Sequence, residues 1–241
     1  MTEDINLSEH LEELRTRFIV SIVSVVILTV LSFLISDLLV AVITAPIKRS
    51  VSTLYFLSPY EAFITKLQIS LVGGIILSLP IIFSQIWLFV SPGLNTKERK
   101  AVFPVIFFSS LLFALGVLFA YFLVIPFALK FFLDFQTPSL QPLISIHFYI
   151  SFFLSLILTF GIIFDLPVLV VGLVILKIVN VEFLTCQRKP VILIIFILAA
   201  ILTPTVDIFT QCLLAFPLWF LFELSLWIAK RIDSRPKSRD F

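Results

Sequence analysis

FYISFFLSLILTFGIIFDLPVLVVGLVIL, residues 148–176, holds a single charged side chain, Asp165. A helix needs about 20 consecutive apolar residues to cross the roughly 30 Å of hydrocarbon in a bilayer, and this run is long enough. Working outward in both directions, five further stretches have the same character. The expected spans lie at about 18–36, 67–90, 101–127, 148–172, 190–205 and 208–228. The fold class is therefore all-α: a polytopic integral membrane protein with six transmembrane helices. Residues 1–230 are expected to form one transmembrane domain, and residues 231–241 a basic C-terminal tail, polar and frayed at its end.

Composition agrees. Of 241 residues, 60% are hydrophobic and 13% charged, whereas soluble domains run nearer half apolar and a quarter charged. A chain this size has too much surface to hide the excess inside, so lipid is its natural solvent. Residues 1–13 carry Glu3, Asp4, Glu9, Glu12 and Glu13, unlike the basic start of a cleavable signal or transit peptide. Cys186 and Cys212 form no CxxC, and His10 stands far from His147, so neighbouring residues assemble no metal or redox motif.

The last two spans are short. The uncharged run from Pro190 to Val206 reaches about 25 Å at 1.5 Å per residue, less than an average hydrocarbon core. Thr203, Pro204, Thr205, Val206 and Asp207 between them are a turn signal. The reading is a tight helical hairpin in locally thinned bilayer, the alternative a re-entrant pair. Either way the count is even and both termini share a side. Lys and Arg choose that side. Arg15, Arg17, Lys97, Arg99, Lys100, Lys177, Arg188, Lys189 and five tail bases fall in one set of segments. Only Lys48, Arg49, Lys66 and Lys130 fall in the other. The positive-inside rule then puts both termini in the cytoplasm or its organellar equivalent.

Four places hold residues that packing alone does not require. Asn6 followed by Glu9 signals a helix start. Leu7, Leu11, Leu14 and Phe18 then fall on one face, with His10, Glu13 and Arg17 on another. Such a helix either lies in the interface with solvated charges or offers carboxylates to a cationic ligand. The loop after the second span has a Pro-Gly turn and then Lys97, Glu98, Arg99 and Lys100. A topogenic role explains its bases but not Glu98, which shares a side with Glu13. Asp165 is a carboxylate within an apolar run, where such groups usually face a bundle interior or wet cavity; the alternative is a position near the interface. Pro167, two residues on, should kink its helix. Finally, Thr203, Thr205, Asp207 and Gln211 make a polar strip suited to helix–helix hydrogen bonds or to capping.

Together these residues resemble the TatC family, the core subunit of the twin-arginine protein translocase. His10-Leu-Glu-Glu-Leu-Arg15 is similar to the family's N-terminal signature. Phe89-Val-Ser-Pro-Gly-Leu94 with Lys97-Glu-Arg99 is similar to its first cytoplasmic loop. Phe119-Ala-Tyr-Phe122 with Pro126, Phe160-Gly161 with Phe164-Asp-Leu-Pro167, and Thr203-Pro204 with Asp207 and Gln211 complete the set, in order and nearly end to end.

The resemblance implies a membrane receptor for folded cargo proteins, which it recognises by the paired arginines of their signal peptides. Glu13 and Glu98 match the family's acids for that contact, with Arg17, His10, Lys97 and Arg99 shaping the same surface. Thr203, Asp207 and Gln211 match positions that dock single-span partner subunits of the TatA/TatB type. The resemblance also implies a homo-oligomer within a larger complex, driven by the proton motive force, with no cofactor, metal or nucleic acid. One departure is Asp165, where the family usually has Glu. The location implied is a bacterial inner membrane, or a plastid thylakoid membrane if the gene is organellar; the Phe and Ile excess hints at an AT-rich, organellar genome.

Two other classes compete. A small polytopic secondary transporter or channel would show repeated halves and broken helices around a central site; no repeat is visible. A membrane enzyme would need a nucleophile–base pair or metal cluster, and neither can be assembled. No GxxxxGK[ST] phosphate loop is present.

Overall fold

Residues 7–49, 51, 53–90, 102–137, 142–175, 179–202 and 208–233 are described by a computed structural model, and they are almost wholly helical. In chain order the helices are α1 (Leu7–Leu34), α2 (Ser36–Thr44), α3 (Glu61–Val90) and α4 (Val102–Phe119). A π turn (Ala120–Val124) and α5 (Ile125–Leu133) follow, then α6 (Ile146–Phe164), α7 (Leu166–Ile175), α8 (Val181–Cys186), α9 (Arg188–Leu202) and α10 (Ile208–Asp233). Four segments are long and apolar enough to cross a membrane: Leu11–Leu34, Glu61–Phe89, Phe103–Leu133 and Ile146–Val174. These coincide with the first four expected spans. The described chain falls into two compact units, residues 1–110 with 141–154, and residues 111–140 with 155–241.

In the first unit, α1 packs along α3. No Gly or Pro interrupts residues 7–34, so one helix carries the polar N-terminal turns directly into the apolar span. Gly73 and Gly74 of α3 let the two backbones approach. A methyl on Gly74 would sit 2.6 Å from Thr29 Cα and N. Small residues at a helix crossing are how spanning helices gain contact when lipid supplies no hydrophobic drive. Outward-facing Phe18, Ile22, Val26, Val30 and Leu34 are exposed, as suits a lipid-facing stripe.

In the second unit, α10 packs on α7 and α9. Gly116 lies against Phe160, Gly161 and the Phe164 side chain, and the Phe119 ring stacks 5.7 Å from Phe160 and 5.3 Å from Phe164. Phe119 thus packs α4 against α6.

Several boundaries differ from the sequence reading for physical reasons. Helix α3 begins at Glu61, six residues before the apolar run, because Glu61 and Lys66 are charges carried at a helix end. Lys66 pairs with Asp37 at 2.6 Å. The π turn stands immediately before Pro126. A proline ring collides with the carbonyl four residues earlier, here Phe122, and a widened turn relieves that. The kink expected from Pro167 is present as a full break: α6 ends at Phe164, and Asp165 forms the turn between α6 and α7. Of the last two helices only α9 is short, at 15 residues; α10 has 26 and runs on to Asp233. The expected span ended near 228, short of the charged Lys230 and Arg231 that α10 carries in its last turn.

Candidate functional site

The polar start of α1 and the far end of α3 form one constellation. Glu13 and Arg17 stand four apart, the spacing that brings helical side chains together, with the acid on the N-terminal side. Arg17 Nη2 donates to Glu13 Oε1 at 3.1 Å. Its other prong, Nη1, donates to Gln85 Oε1 of α3 at 3.3 Å, across 68 positions of sequence. Both side chains of the ion pair keep 30% of their surface exposed. Gln85 Nε2 lies 3.4 Å from Ser84 Oγ. Where the helix turns apolar, Thr16 and Ser21 donate their hydroxyls to the carbonyls of Glu12 and Arg17, as such residues do inside helices.

This arrangement is a carboxylate that already holds a guanidinium at an accessible surface. It can exchange or share that partner with another. His10 lies in α1, but its side chain is outside the described residues. So are Asn6, Lys97, Glu98 and Arg99.

A second constellation in the same unit was missed by the sequence reading. The carboxylate of Glu61 is buried and accepts four hydrogen bonds. Oε2 takes the amides of Leu57 at 2.5 Å and Ser58 at 3.2 Å. Oε1 takes the Ser145 hydroxyl and the His147 amide, the latter at 3.0 Å. The strand-like bridge between Tyr55 and Ser145, with Ile146 N donating to Tyr55 O at 3.0 Å, holds the two loops in place. Tyr149 OH donates to Ile43 O at 2.7 Å. A cavity of about 220 Å³ opens beside them, lined by Tyr60, Glu61, Ile64, Ser145, His147 and Phe148 among others. The signal was present: Ser58-x-x-Glu61 before an apolar run is the capping-box pattern, in which the acid reaches back to the Ser amide.

In the second unit, Asp165 is 7% exposed, and its Oδ1 is buried without a hydrogen-bond partner among the described residues. Pro167 has no N–H, so the Ile163 carbonyl loses its helical donor; the Asp165 carbonyl takes Val168 and Leu169 amides at 3.0 and 3.1 Å. Gln211 of α10 donates through Nε2 to the Phe196 carbonyl of α9 at 2.9 Å. Arg188 at the start of α9 pairs with Glu223 in the second half of α10 at 2.5 Å. Thr203 and Asp207 lie outside the described residues.

Residues 9–217 match the family described as Sec-independent protein translocase protein (TatC). The chain is 43% identical to the Sec-independent protein translocase protein TatC of Carboxydothermus hydrogenoformans over 231 residues, covering 96% of this chain and 94% of that protein. It is 39% identical to the protein of the same name from Aquifex aeolicus, covering 96% and 97%. A crystal structure of twin arginine translocase receptor TatC in the detergent DDM superposes with a TM-score of 0.83 at 39% identity. That likeness covers 92% of this chain and 99% of the other.

Proposed function

Since this chain belongs to the TatC family of Sec-independent protein translocase proteins, we propose that it is the receptor and scaffold subunit, capturing paired-arginine signal peptides at Glu13 and Glu98. Membership makes it a core component of that translocase, a multi-pass membrane transport protein and not an enzyme. The capture step is our reading. It is carried by the Glu13 carboxylate, which holds a guanidinium at 3.1 Å while both side chains remain part-exposed. A group arranged to bind one guanidinium is suited to bind the next.

Around this pair the proposal places Arg17, His10, Lys97 and Arg99 as the rest of the cytoplasmic surface. It keeps six spans with both termini inside, α9 and α10 forming the last hairpin, in one domain over residues 1–230 with a basic tail over 231–241. The Lys and Arg distribution supports that orientation. Thr203, Asp207 and Gln211 are proposed to dock the TatA/TatB-type single-span subunits, and Asp165 to serve as the intramembrane acid. The cargo leaders, those subunits, further copies of this chain and the bilayer are the partners. The relatives are bacterial, which favours a bacterial inner membrane.

The test is photo-crosslinking of a twin-arginine signal peptide to membranes holding the chain. Glu13→Ala or Glu98→Ala should weaken the crosslink with membrane insertion unchanged. A double variant that still crosslinks fully would refute the acidic site.

A further inference from the structure

Gln85 divides the Arg17 guanidinium. That fork fits a carboxylate with both prongs at once, and Arg17 stands one helical turn from Glu13, close enough to use them. It does not. One prong lies on Glu13 Oε1 at 3.1 Å and the other on Gln85 Oε1 at 3.3 Å. A carboxylate offers about four lone-pair positions, and the single prong takes one. Gln85 reaches Arg17 because α3 packs along α1, with Gly73 and Gly74 against Ser32 and Thr29 further along the same crossing.

We propose that Gln85 is a positioning residue that restrains Arg17 to a one-pronged contact, so that Glu13 remains open to an incoming guanidinium. The inference rests on the reading of Glu13 as a signal-peptide contact and concerns the regulation of that site. A guanidinium on the same helix competes at the high effective concentration of any tethered group. Left unrestrained, Arg17 would close both prongs on Glu13 and act as a built-in inhibitor. The Gln85 amide oxygen supplies an alternative acceptor and leaves Arg17 orienting the carboxylate without covering it.

The experiment measures the Kd of a labelled peptide carrying two consecutive arginines for the full chain in detergent or nanodiscs. Gln85→Met keeps the volume and removes the acceptor; it should weaken binding about tenfold. Gln85→Glu keeps an acceptor at the same reach and should stay within about threefold. In an Arg17→Lys background the compact ammonium has no fork to restrain, so Gln85→Met should then change Kd by less than about twofold. A harmless Gln85→Met, or an equal loss with Arg17→Lys present, overturns the proposal. Should Arg17→Lys alone abolish binding, the Met and Glu variants decide, and equal losses from the two overturn it. Glu13→Gln separates the two levels. If it binds normally, the signal-peptide site itself fails and this inference with it. If it weakens binding and Gln85→Met does not, only the restraint by Gln85 fails.

Discussion

The buried carboxylate of Glu61 accepts the hydroxyl hydrogen of Ser145, 84 positions further along the chain. That bond ties the start of α3 to the start of α6, and the same carboxylate closes the turn at Leu57 and Ser58. One acid therefore satisfies four donors that have no helical partner of their own.

Glu61→Ala should lower the thermal midpoint in detergent by several degrees, because buried donors left without an acceptor lose more than a bond is worth. Glu61→Gln keeps one carbonyl acceptor but brings an NH2 towards donors, so its loss should be intermediate. Peptide binding at the α1 end should be unchanged in whichever variant folds. A midpoint equal to wild type for Glu61→Ala would show that the loops hold without it.

The two glycines of α3 should respond differently. At Gly74 a methyl meets Thr29 main-chain atoms at 2.6 Å, and backbone cannot yield without moving α1. At Gly73 it meets the Ser32 hydroxyl, which can rotate away. Gly74→Ala should therefore destabilise by about 1–3 kcal/mol, the usual penalty of overpacking, and Gly73→Ala by less. Thermal melts of the two variants side by side check the order. A reversed order would place the tight crossing elsewhere.

How much of this was legible in the sequence follows from the range of each interaction. Apolar runs announced the four long spans because hydropathy is local. The Pro167 kink and the Glu13–Arg17 pair were readable for the same reason, being contacts within one turn or two. The early start of α3 was readable in principle from Ser58-x-x-Glu61, but a search for uncharged runs discards Glu61 and Lys66 as loop. Likewise the charges of Lys230 and Arg231 hid the last turn of α10. Gln85 was beyond reach. Nothing near it in sequence marks it as a partner of Arg17, 68 positions away; only the α1–α3 crossing brings them together.

Asp165 sits at a helix break, 7% exposed, with one oxygen unpartnered among the described residues. A charge within the membrane costs about 2.5–3.5 kcal/mol on insertion scales, so its presence is not explained by packing. Asp165→Asn is nearly isosteric and neutral. It should leave the thermal midpoint equal or higher while slowing export of a twin-arginine reporter severalfold in a strain lacking its own core subunit. Export at the normal rate would show that the charge is dispensable.

Gln211 has two claims on it. Its amide hydrogen is already engaged by the Phe196 carbonyl at 2.9 Å, fastening α10 to α9, while the proposed docking of single-span subunits needs the same region. Interhelical hydrogen bonds of this kind contribute only about 0.6 kcal/mol on average in membranes, so Gln211→Leu should leave the fold and the melting midpoint nearly unchanged. If the docking proposal holds, co-purification of the single-span subunits should nonetheless fall severalfold. Gln211→Glu, which keeps the length but replaces the amide by a carboxylate, should reduce co-purification as well, because the amide is removed from the docking face. Unchanged recovery of the subunits with both variants would leave Gln211 as a fastener between two helices and remove it from the docking surface.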